Sequence, residues 1–143
     1  MSARIPFFLC LALFGFIILG RPLAAGDEKS RFAGSYSGKF VYKTPNVEEP
    51  QEGVFESTVD ENGNITGKGT NTTADQTAKH TGTIDDDGRM KLIFAFPYRT
   101  YTAVGTASKT KKGSIIATLM QKSGTKMMGT IQLELVPKNT TKK

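Results

Sequence analysis

The chain has 143 residues and a formal net charge of +6, from 19 Lys and Arg against 13 Asp and Glu. Its only cysteine is Cys10 and its only histidine is His80, so zinc sites built on two or more histidines are excluded. A modest positive excess does not by itself imply nucleic-acid binding, and no nucleic-acid partner is expected.

An apolar run of 14 residues occupies positions 7–20, after Arg4 and before Arg21. A membrane span needs about 20 residues, whereas a shorter run followed by small residues is typical of a secretory signal peptide. We expect cleavage near Gly26 and a secreted or periplasmic protein with no transmembrane segment. Because Cys10 is removed with the signal peptide, the mature chain is expected to have no disulfide and no thiol chemistry.

Removing residues 1–26 from the 143-residue chain leaves 117 residues, 27–143, enough for one domain with a single core. We expect that core to span about residues 32–137 and the basic tail at 138–143 to be frayed. Three acceptor triplets for N-glycosylation begin at Asn64, Asn71 and Asn139. The lack of cysteine in the mature chain favours a bacterial source, in which these would be bare, but the sequence leaves the organism class and the glycosylation open.

The mature chain consists of short segments in which apolar and polar residues alternate, separated by turn-forming residues. No stripe of helical period is present outside the predicted signal peptide. Eight strands are predicted at about 32–42, 53–60, 65–70, 78–85, 90–96, 101–108, 115–122 and 127–135.

Short connections between consecutive strands favour an antiparallel meander, and eight such strands can close into a barrel. The predicted fold is therefore an all-β, eight-stranded, antiparallel up-and-down barrel. A β-sandwich is the main alternative, but it needs longer crossing connections, and only residues 44–52 and 71–77 are long enough.

Two short motifs carry a resemblance to a known superfamily. Gly34-Ser35-Tyr36 resembles the Gly-x-Trp opening of lipocalins and avidin-like proteins, the calycin superfamily, and Gly63-Asn64-Ile65-Thr66-Gly67 is similar to an avidin-like pattern at the third strand. The resemblance implies a ligand-binding barrel. The sequence has no Trp, so biotin binding is not implied. Lys126 or Lys138 is available for the basic residue that lipocalins have late in the barrel.

The predicted inner faces combine bulky aromatic residues with glycine and alanine, which leaves room for a small apolar guest. Alternatively, the glycines mark places where strands bend sharply. The candidate ligand-binding residues are Tyr36, Phe40, Phe55, Phe94 and Tyr101.

Apolar residues also occur on the predicted outer faces of the second half, where water is expected. They indicate a protein partner or self-association, because contiguous apolar patches are uncommon on monomers. The residues concerned are Ile93, Val104, Ile116, Met120 and Met128.

Catalytic signals are weak. His80 is interpreted as a barrel-wall or rim residue with an ordinary hydrogen bond, because no nucleophile motif accompanies it. Residues 85–87, three consecutive aspartates, have the wrong spacing for a calcium loop and are interpreted as a turn. The glutamates at 48, 49 and 52 lie in a Pro-bounded loop that cannot hold a catalytic pair at a fixed separation. No catalytic residue, metal or cofactor is therefore predicted.

Charge is unevenly distributed. Residues 27–88 contain 6 Lys and Arg against 12 Asp and Glu, whereas residues 89–143 contain 11 against 1. The leading hypothesis is an exported, non-enzymatic module that binds a small apolar or amphiphilic ligand. The second is a protein-binding module, such as an inhibitor of a secreted enzyme or a subunit of a surface assembly, acting through loops or the apolar outer wall. A hydrolase is the third.

Overall fold

The structure is a computed structural model that describes residues 28–139. The predicted signal peptide and the end of the basic tail lie outside the described residues. Within them the chain forms eight β-strands: β1 (Gly34–Lys43), β2 (Gln51–Val59), β3 (Asn64–Asn71), β4 (Gln76–Ile84), β5 (Arg89–Ala95), β6 (Thr100–Lys109), β7 (Ile115–Ser123) and β8 (Lys126–Pro137).

Each strand pairs antiparallel with the next, and β8 pairs with β1 to close the barrel. The closing register places Tyr36 opposite Pro137 and Lys43 opposite Thr130. The predicted meander barrel is confirmed, and its architecture fits a calycin-like barrel. The strand boundaries shift slightly, because Pro137 still pairs with β1 and Phe32 precedes the first strand in a turn.

Period-two alternation decides which side chains enter the barrel. In β2 the buried residues are Gly53, Phe55, Ser57 and Val59, and the residues between them are exposed. One contiguous apolar core results, because the other strands contribute inward residues in the same way.

Three turns at one end of the barrel share one design. Glycines at positions 63, 88 and 113 have φ of 81°, 83° and 85°, a region that favours glycine. The amide of each donates to the carbonyl three residues earlier, at distances of 2.9–3.1 Å. In the aspartate run, Asp85 Oδ1 accepts from the Arg89 amide at 2.9 Å. The aspartates therefore build a hairpin turn, as the sequence indicates.

The segment before β1 closes this same end. Phe32 is fully buried, and its carbonyl accepts a hydrogen bond of 2.7 Å from the Tyr36 hydroxyl. The Ser30 amide donates to the carbonyl of Glu61 in the β2–β3 turn at 2.8 Å. Lys109 Nζ donates to the Arg31 carbonyl at 2.6 Å from the β6–β7 side. We call this the closed end, and we call residues 30–33, with the buried ring of Phe32, the plug.

A bulge changes one prediction for the outer wall. The β7–β8 register places Gln121 opposite Gly129 but Lys122 opposite Met127, so β8 has one extra residue there. Between the bulge and the start of β8, the residues that face inward and outward are therefore exchanged. Met127, predicted to lie inside, is 48% exposed, while Met128, predicted to lie outside, is half-buried and faces the interior. The placement of Met128 on the outer wall is therefore wrong.

Candidate functional site

A cavity of about 160 Å³ lies inside the barrel at the end opposite the plug. At this end β1, β3, β5 and β7 finish and β2, β4, β6 and β8 begin. We call it the open end. The cavity is lined by Phe40, Tyr42, Gln51, Phe55, Gly69, Asn71, Gln76, Ala78, Phe94, Phe96, Tyr98, Tyr101, Gln121, Met128 and Ile131.

Three phenylalanines from separate strands form the inner part of the cavity. The Phe55 ring lies 4.8 Å from that of Phe40 and 5.9 Å from that of Phe94, centroid to centroid. These distances are typical of favourable aromatic contacts. All three rings are buried, at 4–9% exposure, so the inner surface offered to a ligand is apolar.

Small residues make room for these rings. A Cβ atom at Gly69 would lie 2.6 Å from Cε1 of Phe55, and Ala78 on the next strand contributes only a methyl group. Gly82 differs, because a Cβ there would overlap the backbone of β5. The sequence left open whether the small residues make room inside the barrel or allow the strands to bend. Each interpretation applies at different positions, because Gly69 and Ala78 create space, whereas Gly82 permits close approach of the strands.

The mouth of the cavity is also aromatic. Phe96 stacks on Tyr98 with centroids 5.8 Å apart and meets Tyr101 edge-on at 5.7 Å. Tyr98 is 60% exposed and still lines the cavity, so the site meets solvent here. Burial raises the pKa of Tyr42, and the neighbouring Tyr101 raises it further, so the phenol of Tyr42 stays neutral.

Amide side chains supply the polar part of the wall. Asn71 Nδ2 donates to Gln51 Oε1 at 2.7 Å, which joins the end of β3 to the start of β2. Asn71 Oδ1 also accepts from the amides of Thr73 and Ala74 at 3.1 and 3.0 Å. Asn71 is therefore held by the loop, and Gln76 and Gln121 complete the polar lining.

Four of the five residues predicted to bind ligand line this cavity: Phe40, Phe55, Phe94 and Tyr101. Tyr36 does not. It is 2% exposed at the closed end, where its hydroxyl donates to Phe32 and burial raises its pKa. Tyr36 thus has a structural role in holding the plug, and we leave it out of the proposed site.

Several lining residues were not among those predicted. Phe96 continues the alternation of β5, and Tyr98 follows Pro97 in the turn at the mouth. This cluster of aromatic residues around a proline is a sequence signal that could have indicated that both line the cavity. Met128 could not have been found, because its orientation depends on the bulge. Alternation within single strands does not reveal the polar rim either.

The lone histidine lies beneath this cavity. His80 is 1% exposed, and its Nε2 is hydrogen-bonded to Ser57 Oγ at 2.7 Å. Its ring meets those of Phe55 and Phe94, with centroids 5.0 and 6.0 Å away. Burial lowers the pKa of His80 to about 4. Nδ1 has no hydrogen-bond partner among the described residues, and neither His80 nor Ser57 lines the cavity.

This pair bears on the hydrolase hypothesis. A serine beside a histidine is the start of a nucleophilic arrangement, which further needs a group that orients the histidine and access for a substrate. Within residues 28–139 no carboxylate bonds to Nδ1 of His80, and Ser57 is only 6% exposed. The geometry is that of a buried structural hydrogen bond.

Residues 28–139 contain no group of three or more His, Cys, Asp or Glu side chains placed to hold a metal ion. Nor do they contain a helix of the length and apolarity that crossing a membrane requires.

The remaining outward residues lie on three neighbouring strands, β5, β6 and β7. Val104 is directly opposite Met120 across β6 and β7, and opposite Lys91 across β5 and β6. Met120 and Ile116 are 43% and 48% exposed, whereas Val104 and Ile93 are half-buried. We call Ile93, Val104, Ile116 and Met120 the outer apolar patch.

No protein-family model matches the sequence, and no curated protein matches it. Among solved structures, the chain is similar to the crystal structure of Rv2717c from M. tuberculosis, with a TM-score of 0.47 and 17% identity. That similarity covers 77% of this chain and 94% of the other.

Proposed function

We propose that the protein is an exported binding module that holds a small apolar or amphiphilic ligand in the open end of the barrel. The observation that carries the proposal is the cavity itself, which opens between strand ends and has aromatic rings on seven of its fifteen lining residues. The plug formed by Phe32 seals the opposite end. A barrel closed at one end and open at the other provides a single entrance for a ligand.

The size of the cavity restricts the ligand. Its volume is about 160 Å³, and a dry cavity of about 150 Å³ is large enough to hold benzene. One ring or a short chain therefore fills the inner part, and anything longer extends between the rings of Phe96, Tyr98 and Tyr101 at the mouth. Typical drug-sized pockets are larger, at roughly 300–1,000 Å³, so a bulky polycyclic ligand is not expected.

Filling the cavity tests this proposal. In Ala78→Phe the new ring would occupy the inner space, because Ala78 is 5% exposed and lines the cavity. Ala95→Phe adds the same ring at an exposed position on β5 and is the matched control. Binding of 3-phenylpropanol is measured by calorimetric titration. Wild type and Ala95→Phe are expected to bind it equally, and Ala78→Phe at least about tenfold more weakly.

Failure of the wild-type protein to bind the probe, or equal binding by Ala78→Phe, would contradict the proposal. Ala78→Leu, with a smaller side chain, guards against misfolding of the phenylalanine variant, and circular dichroism checks that both variants keep the barrel. Native mass spectrometry of freshly purified protein adds an independent observation, because a co-purified small molecule would appear as added mass.

Export is the second part of the proposal. It is supported by the apolar run at 7–20 and the small residues before Asp27. Expression of the full chain in a bacterium followed by intact mass measurement tests it. A mature chain that begins near Asp27 and is found outside the cytoplasm is expected, and an uncleaved cytoplasmic product would refute it.

A second candidate function is protein binding, and the outer apolar patch favours it. Ile116 and Met120 each expose nearly half of their surface, and Met120 lies opposite Val104. Exposed apolar patches mark interaction sites when they are large. The test is sedimentation velocity of wild type and Met120→Lys over a concentration series. Association that increases with concentration and disappears in Met120→Lys would support this function, whereas a wild-type monomer at all concentrations would oppose self-association.

A further inference from the structure

Arg99 stands at the mouth of the cavity, in the four-residue connection between β5 and β6. The Phe96 amide donates to the Arg99 carbonyl at 2.9 Å and closes this turn. The guanidinium carbon of Arg99 lies 5.5 Å from the ring centroid of Tyr98 and 5.7 Å from that of Tyr101. Both tyrosines line the cavity, so a cation is held against two rings of the ligand's entrance.

The guanidinium of Arg99 has no carboxylate within 4 Å in the part of the chain that the structure describes. Arg89 shows the contrast. It has carboxylate oxygens of Asp85 and Asp87 at 2.7 and 3.1 Å, at the closed end. A guanidinium offers five N–H donors in a planar fork that matches a carboxylate in a bidentate arrangement. At the mouth this fork remains available to a bound molecule.

We propose that the ligand is a small amphiphilic carboxylate, whose ring or short chain fills the cavity and whose carboxylate binds Arg99. This inference rests on the proposed function and adds the chemical class of the ligand. The apolar part contacts Phe40, Phe55 and Phe94, and the charged end stays at the rim, where it is partly solvated. Contact with the rings of Tyr98 and Tyr101 restricts the motion of the guanidinium, which lowers the entropy lost when the carboxylate binds.

A matched pair of probes tests the inference. 3-Phenylpropionate and 3-phenylpropanol share a ring and chain and differ in the terminal group. Wild type is expected to bind the acid about tenfold more tightly than the alcohol, since a charge-assisted bond adds roughly that factor. Arg99→Met keeps an apolar stem but removes the charge, so it should bind both probes with similar affinity and keep the wild-type affinity for the alcohol.

Two further variants sharpen the result. Arg99→Lys keeps the charge without the planar fork and should retain part of the preference for the acid. Arg89→Met makes the same change of charge at the closed end, in a residue that does not line the cavity, and should bind both probes like wild type. Raising the salt concentration should weaken binding of the acid alone.

The outcomes separate the two proposals. If wild type binds neither probe, the proposed function fails, and this inference fails with it. If wild type binds both probes equally, the cavity binds ligand but the carboxylate assignment is overturned. Equal loss of both probes in Arg99→Met would also overturn it, because Arg99 would then shape the mouth without recognising charge.

Discussion

His80 shows how burial alone sets the behaviour of one residue. Its ring is 1% exposed, between Ser57 and two phenylalanine rings. Burial removes the hydration of the charged form, and the pKa falls from 6.5 to about 4. At neutral pH the imidazole is therefore uncharged, which suits an apolar core. The sequence alone could show that His80 had an ordinary hydrogen bond, but not that Ser57 would supply it, because their contact depends on strand register.

The lowered pKa predicts a dependence of stability on pH. Between pH 4 and 6.5 the unfolded chain binds a proton at His80 that the folded chain does not, so stability falls as pH falls through this window. From pH 7.5 to 4.5 the loss attributable to His80 is about 2–3 kcal/mol. Urea unfolding at the two pH values, followed by tyrosine fluorescence, measures it.

The control for this prediction is the double variant Ser57→Ala with His80→Leu. It removes both partners of the hydrogen bond, so neither is left buried and unsatisfied. The variant should lose most of the pH dependence within this window, and the effect belongs to His80 because the chain has only one histidine. If the double variant keeps the full wild-type dependence, the carboxylates are responsible.

At the scale of single elements, β1 depends on a close approach to β8. A Cβ atom at Gly38 would overlap the carbonyl oxygen of Glu134 in the closing strand. Where a strand has room for the methyl group, replacing glycine with alanine raises the free energy of unfolding by roughly 0.4–1 kcal/mol. Gly38→Ala is expected to destabilise by at least about 2 kcal/mol, because the backbones must separate. Urea unfolding measures the change, and Ser37→Ala, one residue earlier on β1, should stay within about 0.5 kcal/mol.

A stabilised Gly38→Ala variant would contradict the tight β1–β8 closure. Hydrogen exchange adds a local measurement, because faster exchange in this variant should be concentrated in the amides that join β1 and β8. A uniform increase throughout the barrel would instead indicate global destabilisation.

The plug before β1 is the second element with a measurable role. Phe32 is fully buried at the closed end, and its backbone carbonyl accepts a hydrogen bond from the Tyr36 hydroxyl. Phe32→Ala would leave a cavity there and should cost about 3–5 kcal/mol in the free energy of unfolding. Phe96→Ala, at the half-buried mouth, makes the same substitution at the other end and should cost less than half as much. A loss below about 1 kcal/mol for Phe32→Ala would show that the plug is not part of the cooperative core.

Much of the fold is predictable from local pattern, and the reason is visible in β5. Met90, Leu92 and Phe94 alternate with outward residues, and all three are buried as predicted. Alternation fixes the side of the wall that a residue faces but not its height along the barrel. Height depends on the stagger between strands, which is a property of the whole sheet. Tyr36 and Phe40 share one inward face, yet only Phe40 lines the cavity.

The departures from the prediction have similar non-local causes. The bulge that turns Met128 inward lies in the pairing of β7 with β8, which the pattern of β8 alone does not reveal. Phe32 continues the alternation of β1, so the pattern placed it in the strand, but Arg31 and Phe32 lie in a turn before β1 and the Phe32 ring is buried at the closed end. The mouth residues Tyr98 and Arg99 belong to a connection without alternation, where no period indicates orientation.

At the scale of the whole molecule, closure of the meander converts a sequence asymmetry into a spatial one. Among the described residues, 28–88 contain 6 Lys and Arg against 11 Asp and Glu, and 89–139 contain 9 against 1. Because strands follow one another around the barrel, β1–β4 form one side and β5–β8 the other. The protein therefore has an acidic side and a basic side, and the outer apolar patch lies on the basic one.

This asymmetry predicts orientation at a charged surface. Two double variants lower the net charge equally: Lys91→Glu with Lys122→Glu on the basic side, and Lys39→Glu with Lys79→Glu on the acidic side. A sulfonate cation-exchange column should retain the protein through its basic side, because attraction between charges weakens steeply with distance at ordinary salt. The first variant should elute at clearly lower salt than the second, although their net charges are identical. Equal elution would show that retention follows net charge alone and that the two sides do not act separately.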